Sequence, residues 1–102
     1  MVKRMTDMAK ALKIEERDNV AVMLEPVRMG ERCKVSKTIQ LTVSRDIPFG
    51  HKVALTDISE GEPVIKYGEV IGYATRSIHA GDWVHTHNIL SQRGRLTTRG
   101  DA

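Results

Sequence analysis

The sequence is short of the residues that commit a chain to specialised chemistry. Cys33 is the only cysteine in 102 residues. No intrachain disulfide can form, which suits a reducing cytoplasm, and Cys33 reads as a small buried hydrophobe. The four aromatics are Phe49, Tyr67, Tyr73 and Trp83, so the core must be built from Val, Ile, Leu, Ala and Met. No apolar run is long enough to span a bilayer, and no uninterrupted apolar segment follows the N-terminal basic residues, so no membrane association is expected. The net charge is +3 and the isoelectric point is near 9.2. That balance suits an anionic ligand or an acidic partner. It does not point to nucleic acid, because no dense basic run interleaved with aromatics occurs. Ser36, Ser44, Ser59, Ser77 and Ser91 have no spacing that links them to a base, and Gly68–Gly72 lacks the order of a phosphate loop.

What is present is a series of short apolar runs. Asn19–Leu24, Thr38–Val43, Lys52–Leu55, Val64–Tyr67 and Glu69–Tyr73 have strand length and strand composition. In Thr38–Val43, Ile39, Leu41 and Val43 alternate with polar residues, as a half-buried strand requires. The predicted class is all-β, with many short strands and glycine-rich turns. A motif Ile-x-x-Gly-x-x-Val recurs at Ile47–Gly50–Val53, Ile58–Gly61–Val64 and Ile78–Gly81–Val84, with a looser copy at Val27–Gly30–Cys33. The glycines stand 20, 11 and 20 residues apart, which rules out a regular solenoid. Each copy reads as a tight corner. An apolar residue anchors it, glycine takes a conformation closed to residues with a Cβ, and the next apolar residue returns to the core. Asp46, Asp57 and Ser77 precede the three isoleucines and can hydrogen-bond turn backbone.

The chain ends are of different character. Val2, Met5, Ala9 and Leu12 fall at helical spacing among basic residues, which predicts a short helix within an N-terminal arm, residues 1–16. Residues 17–90 form the predicted domain. Residues 91–102 are polar, carry Arg93, Arg95 and Arg99, and read as a tail.

The candidate chemistry lies in Trp83–Asn88, WVHTHN. If Trp83–His87 is a strand, His85 and His87 share a face, roughly 7 Å apart. Two imidazoles so placed can transfer protons near neutral pH, or begin a metal site that two ligands leave incomplete. Trp83 shares their parity and either shields them from water or belongs to the core. His51 follows a turn glycine and can join them only in space. His79 sits within a turn and is expected in solvent.

Several ordered motifs carry a resemblance. They are Asp18-Asn19-Val20-Ala21, Gly50-His51-Lys52-Val53-Ala54-Leu55, Val64-Ile65-Lys66-Tyr67-Gly68, Ile71-Gly72 and Val84-His85-Thr86-His87-Asn88. In this order they resemble the SAF-type β-clip domain that begins the altronate and galactarate dehydratases and also forms the small subunit of the sulfolactate sulfo-lyases. The resemblance implies a small β-clip fold and a part in eliminating water, or sulfite, from a hydroxy-carboxylate. It implies a detached small subunit or lone domain whose partner is a large catalytic subunit, with a sugar acid as substrate. A homo-oligomer is compatible with it. His85 and His87 become candidate catalytic residues, and also candidate ligands of a divalent metal, iron(II) by resemblance. Lys66, Asn88 and His51 become candidate substrate contacts, although Lys66-Tyr67-Gly68 reads equally well as a plain hairpin corner. The competing function is a stand-alone module that binds an anion or sugar acid without turnover.

Overall fold

The computed structural model describes residues 8–91, and they are entirely strands, bridges and turns. Nine strands follow in order: β1 (Met8–Leu12), β2 (Val20–Met23), β3 (Arg32–Lys34), β4 (Gln40–Thr42), β5 (Lys52–Ala54), β6 (Pro63–Lys66), β7 (Glu69–Ala74), β8 (Trp83–Val84) and β9 (Ile89–Ser91). Six of them form a sheet in the order β4-β3-β1-β2-β5-β8, and β6-β7-β9 form a second sheet. Neighbours are antiparallel except β1 and β3. The all-β class is as predicted.

The N-terminal helix is not found over the residues described. Met8–Leu12 is a strand between β2 and β3 that buries Ala9 and Ala11. Period-2 burial wins there because both neighbouring strands offer ladder partners and a core to face. The arm's remainder, with Val2 and Met5, and the tail beyond Ser91 lie outside the described residues. The predicted border at residue 17 therefore cuts off a strand that belongs to the sheet.

Two cores lie on the two faces of β2-β5-β8. One collects Ala21, Met23, Val27, Cys33, Ile47 and Val53, with Trp83 at its margin. The other collects Val20, Ala54, Ile58, Val64, Ile78 and Val84. Alternation along each strand sends successive residues to opposite cores. The cores are aliphatic, as the scarcity of aromatics requires, and burial raises the pKa of the Cys33 thiol within one of them.

The uneven glycine spacing has a structural origin. The corner anchors pair as antiparallel bridges, Val27 with Ile47 and Ile58 with Ile78. In each pair the glycine N–H of one corner reaches the carbonyl four residues before the other anchor. Gly30 donates to Val43 and Gly50 to Met23; Gly61 donates to Ala74 and Gly81 to Ala54. Adding 31 to every position of the first pair gives the second, so the chain holds two copies of one two-corner unit. The partners within a unit are 20 residues apart, and the gap of 11 separates the units. Asp46 and Asp57 accept from Met29 and Ala80, on the facing corner rather than on their own. Ser77 makes no such bond among the described residues. Gly81 is the tightest corner. Its φ is +94°, and a Cβ there would stand 2.2 Å from the Thr42 carbonyl oxygen.

Asp18 and Asn19 stitch the two sheets together. Asp18 accepts N–H bonds from Ile14, Glu15 and Gly68. Burial alone would raise its pKa, but the backbone donors outweigh that and hold the carboxyl below its usual range. The side chain of Asn19 accepts from Ile65 N–H and donates to the Pro63 carbonyl.

Candidate functional site

The site begins in a strand register. β5 and β8 pair Val53 with Trp83 and Lys52 with Val84. One step beyond the ladder, His51 faces His85, and their ring centroids are 4.7 Å apart. Trp83 lies two residues before His85 on the same face. Its ring stacks on His85 at 5.4 Å with planes 6° apart, and its Nε1–H donates to His51 Nδ1 at 3.2 Å. The ring of His87 leans on the same indole at 5.2 Å. Three imidazoles thus surround one tryptophan at the edge of the first core. Trp83 is at once core margin and the surface on which the histidine rings pack, although His87 stays exposed.

The route by which His85 and His87 meet differs from the expected one. The strand ends at Val84, and His85–Asn88 is a turn closed by the Asn88 N–H on the His85 carbonyl. Asn88, only 4% exposed, holds that turn. Its side-chain oxygen accepts the His85 N–H at 2.9 Å, and its amide donates to the Trp83 carbonyl at 2.8 Å. Asn88 caps the outer edge of β8, where the Trp83 carbonyl and the His85 N–H point away from β5, and the histidines meet at the indole through this turn, not through alternation.

His51 owes its freedom to a proline. In three corners the residue after glycine is acidic, and its carboxylate takes the N–H that follows the anchor. Glu31 accepts from Arg28, Glu62 from Ser59 and Asp82 from His79. In the remaining corner Pro48 has no N–H to satisfy. The corner is closed by the His51 backbone alone, donating to the Pro48 carbonyl. Position 51 is thereby released from turn duty, and a histidine occupies it.

Burial and nearby charge favour the neutral form of His85 and His87. Burial, then the charges of His51, Lys52 and His87, push the His85 imidazole below its usual pKa. Partial burial, then Arg45 and Arg76, does the same to His87, against an opposing pull from Asp82. Lys52 is half-buried on the opposite face of β5; burial and the charge of Lys66 lower its ammonium pKa. Lys66 lies outside the imidazole cluster, with its Nζ 5.0 Å from the centroid of the Tyr67 ring. Tyr67 and Gly68, both at positive φ, make the hairpin corner between β6 and β7. His79 is exposed in its corner and stands 3.9 Å from Asp57.

Lys52, Arg45 and Arg76 were not singled out by sequence reasoning. A signal for the two arginines was present, since they occupy the same position in the two copies of the repeat. As for metal, no group of three or more His, Cys, Asp or Glu is placed to hold an ion among the described residues. The donor set is imidazole alone, and Nδ1 of His51 is already an acceptor for Trp83. These residues do not make a metal site by themselves.

The family model of the altronate/galactarate dehydratase SAF domain matches residues 9–92. The chain belongs to this family. The match begins inside β1, which agrees with that strand being part of the domain. This SAF domain is 48% identical over 77 residues to altronate dehydratase of Escherichia coli, covering 76% of the chain and 15% of the relative. It is 37% identical over 83 residues to galactarate dehydratase (L-threo-forming) of the same organism, covering 81% and 16%. To (2R)-sulfolactate sulfo-lyase subunit alpha of Paracoccus pantotrophus it is 48% identical over 54 residues, covering 53% of the chain and 81% of the relative. The chain therefore spans about a sixth of the dehydratases it matches and most of the sulfo-lyase subunit. No helix among the described residues is long and apolar enough to cross a membrane.

Proposed function

We propose that this SAF domain is the small subunit, or its equivalent, of a sugar-acid dehydratase of the altronate/galactarate type. In this reading it lends imidazoles to a site completed by a larger catalytic chain. The observation that carries the reading is the cluster of His51, His85 and His87 on Trp83, with His85 held neutral. Elimination beside a carboxylate needs a base for the carbon-bound proton and an acid for the departing hydroxyl. With Nδ1 accepting the indole N–H, a neutral His51 carries its proton on Nε2 and can hydrogen-bond a departing hydroxyl, while the proton that the hydroxyl takes comes from an imidazolium formed when a neighbouring ring accepts the carbon-bound proton. His85, neutral and beside it, can accept or relay a proton. Lys52 and Lys66, which have no carboxylate partner among the described residues, suit a substrate carboxylate. Asn88 acts by holding the turn. The exposed Phe49, at 67%, and Leu24, at 45%, flank the Gly50–Met23 hydrogen bond next to His51 and suit the larger partner.

One observation favours a second reading. The sulfo-lyase relative is itself a subunit of which this domain covers four fifths, so a carbon–sulfur lyase built the same way is the alternative.

Co-expression with a candidate large chain, followed by assay on altronate, galactarate and sulfolactate, tests both readings. His85→Asn and His87→Asn should each lower turnover by about a hundredfold or more while leaving assembly intact on size exclusion. If both variants assemble and turn over like wild type, the domain is a scaffold or an anion-binding module.

A further inference from the structure

Beyond the imidazoles lies a second concentration of charge. Arg45 and Arg76 are equivalent residues, since a shift of 31 carries one onto the other as it carries Ile47 onto Ile78. The fold brings them to the two ends of β8. Ser44 donates its N–H to the Gly81 carbonyl and its hydroxyl to Asp82, which sets Arg45 against the corner leading into β8. Thr75 donates its N–H to the Asn88 carbonyl, which sets Arg76 against the turn leading out of it. His87 sits between these two anchorages. Arg45, Arg76 and His87 are all exposed, and neither guanidinium has a carboxylate partner among the described residues. Asp82 is the acidic group whose charge reaches His87. Both its oxygens are already engaged, one by the Ser44 hydroxyl and the other by the His79 N–H. Two cations without a carboxylate partner among the described residues therefore act on His87, against a single, committed anion.

We propose that Arg45 and Arg76 form an oxyanion site at the His87 turn, which takes a carboxylate or sulfonate group of a bound hydroxy acid. Guanidinium forks match the planar carboxylate and the sulfonate through paired N–H donors. The charge of both arginines acts on His87 in the sense that disfavours a third cation, so the field at this point is positive and suits an anion. The choice of a hydroxy acid as ligand rests on the lyase reading; the existence of an anion site does not.

The test is an NMR titration of the full 102-residue chain with galactarate as the carboxylate probe, isethionate as the sulfonate probe and galactitol as the neutral control. The expected result is saturable shifts at Arg45, Arg76 and His87 with at least one anion and none with galactitol; the tighter anion identifies the chemistry. Arg45→Gln and Arg76→Gln should each weaken binding by about tenfold, while Lys37→Gln, on a distant exposed turn, should leave it unchanged. Amide dispersion in the same spectra reports that the variants are folded. No saturable shift up to about 10 mM, equal shifts with galactitol, or full affinity in the double arginine variant would each overturn the site. Failure of the lyase reading looks different: the chain binds the anion, yet no assembled complex turns over.

Discussion

Asn88 offers the sharpest separation of support from chemistry. Asn88→Ala removes two hydrogen bonds, to the His85 N–H and the Trp83 carbonyl, from a position 4% exposed. Each such bond contributes about 1 kcal/mol net, and a stranded buried partner costs about 1–3 kcal/mol. The turn is only partly shielded, so a total of roughly 2–3 kcal/mol is expected, or about 10–20 °C in midpoint for a domain of this size. Asn88→Asp discriminates further. The carboxylate keeps the bond to the His85 N–H but turns an oxygen toward the Trp83 carbonyl, where the amide donated. Near neutral pH it should be at least as damaging as alanine. A carboxyl facing a carbonyl has a raised folded pKa, so its protonated form is the one that restores the donor. Stability of Asn88→Asp should therefore recover relative to Asn88→Ala as the pH falls through that raised value, and not above it. Urea unfolding of the three proteins between pH 4 and pH 8 supplies the measurement. Wild-type stability in Asn88→Ala, or identical pH profiles for the two variants, would refute the claim that Asn88 holds the histidine turn.

Other outcomes follow from the same structure. His85 and His87 have folded pKa values pushed below the ordinary histidine value near 6.5. Their effect on stability is nil above that pH, and stability falls as the pH drops below it, because the unfolded chain takes up protons first; the double Asn variant should lose this slope in pH-dependent denaturation. Gly81→Ala should cost clearly more than Gly50→Ala or Gly61→Ala. All three sit at positive φ, which costs about 1–2 kcal/mol, but only at Gly81 does a new Cβ meet backbone; thermal melts ranking the three equally would count against the close approach. Pro48→Ala combined with His51→Glu should yield a folded corner of the ordinary acid-closed type, with dispersed amides but no His51–Trp83 contact. Phe49→Ser should leave the fold unchanged and, if the proposed large partner chain is found, weaken assembly with it, read by size exclusion.

Much of the fold was legible because local chemistry fixed it. The corner glycines announced turns, and five of the nine strands coincided with predicted apolar runs. The arm was misread because Val2, Met5, Ala9 and Leu12 satisfy a helical period as spacing alone. Ladder partners on both sides, which no local window contains, make Met8–Leu12 a strand. The 20-11-20 spacing was visible, but its meaning as a duplicated unit appeared only with the two anchor bridges.

The sequence by itself determined the class, the corners, the aliphatic core and the identity of His85 and His87 as candidates. Residue type and short-range spacing suffice for these, since each depends on a few bonded neighbours. Only the tertiary structure decided that His51 joins them, that Asn88 serves the turn, and that Arg45 and Arg76 flank His87. Each of these depends on which strand lies beside which. That pairing is set by burying two cores on opposite faces of one small sheet, a property of the whole chain and not of any stretch of it.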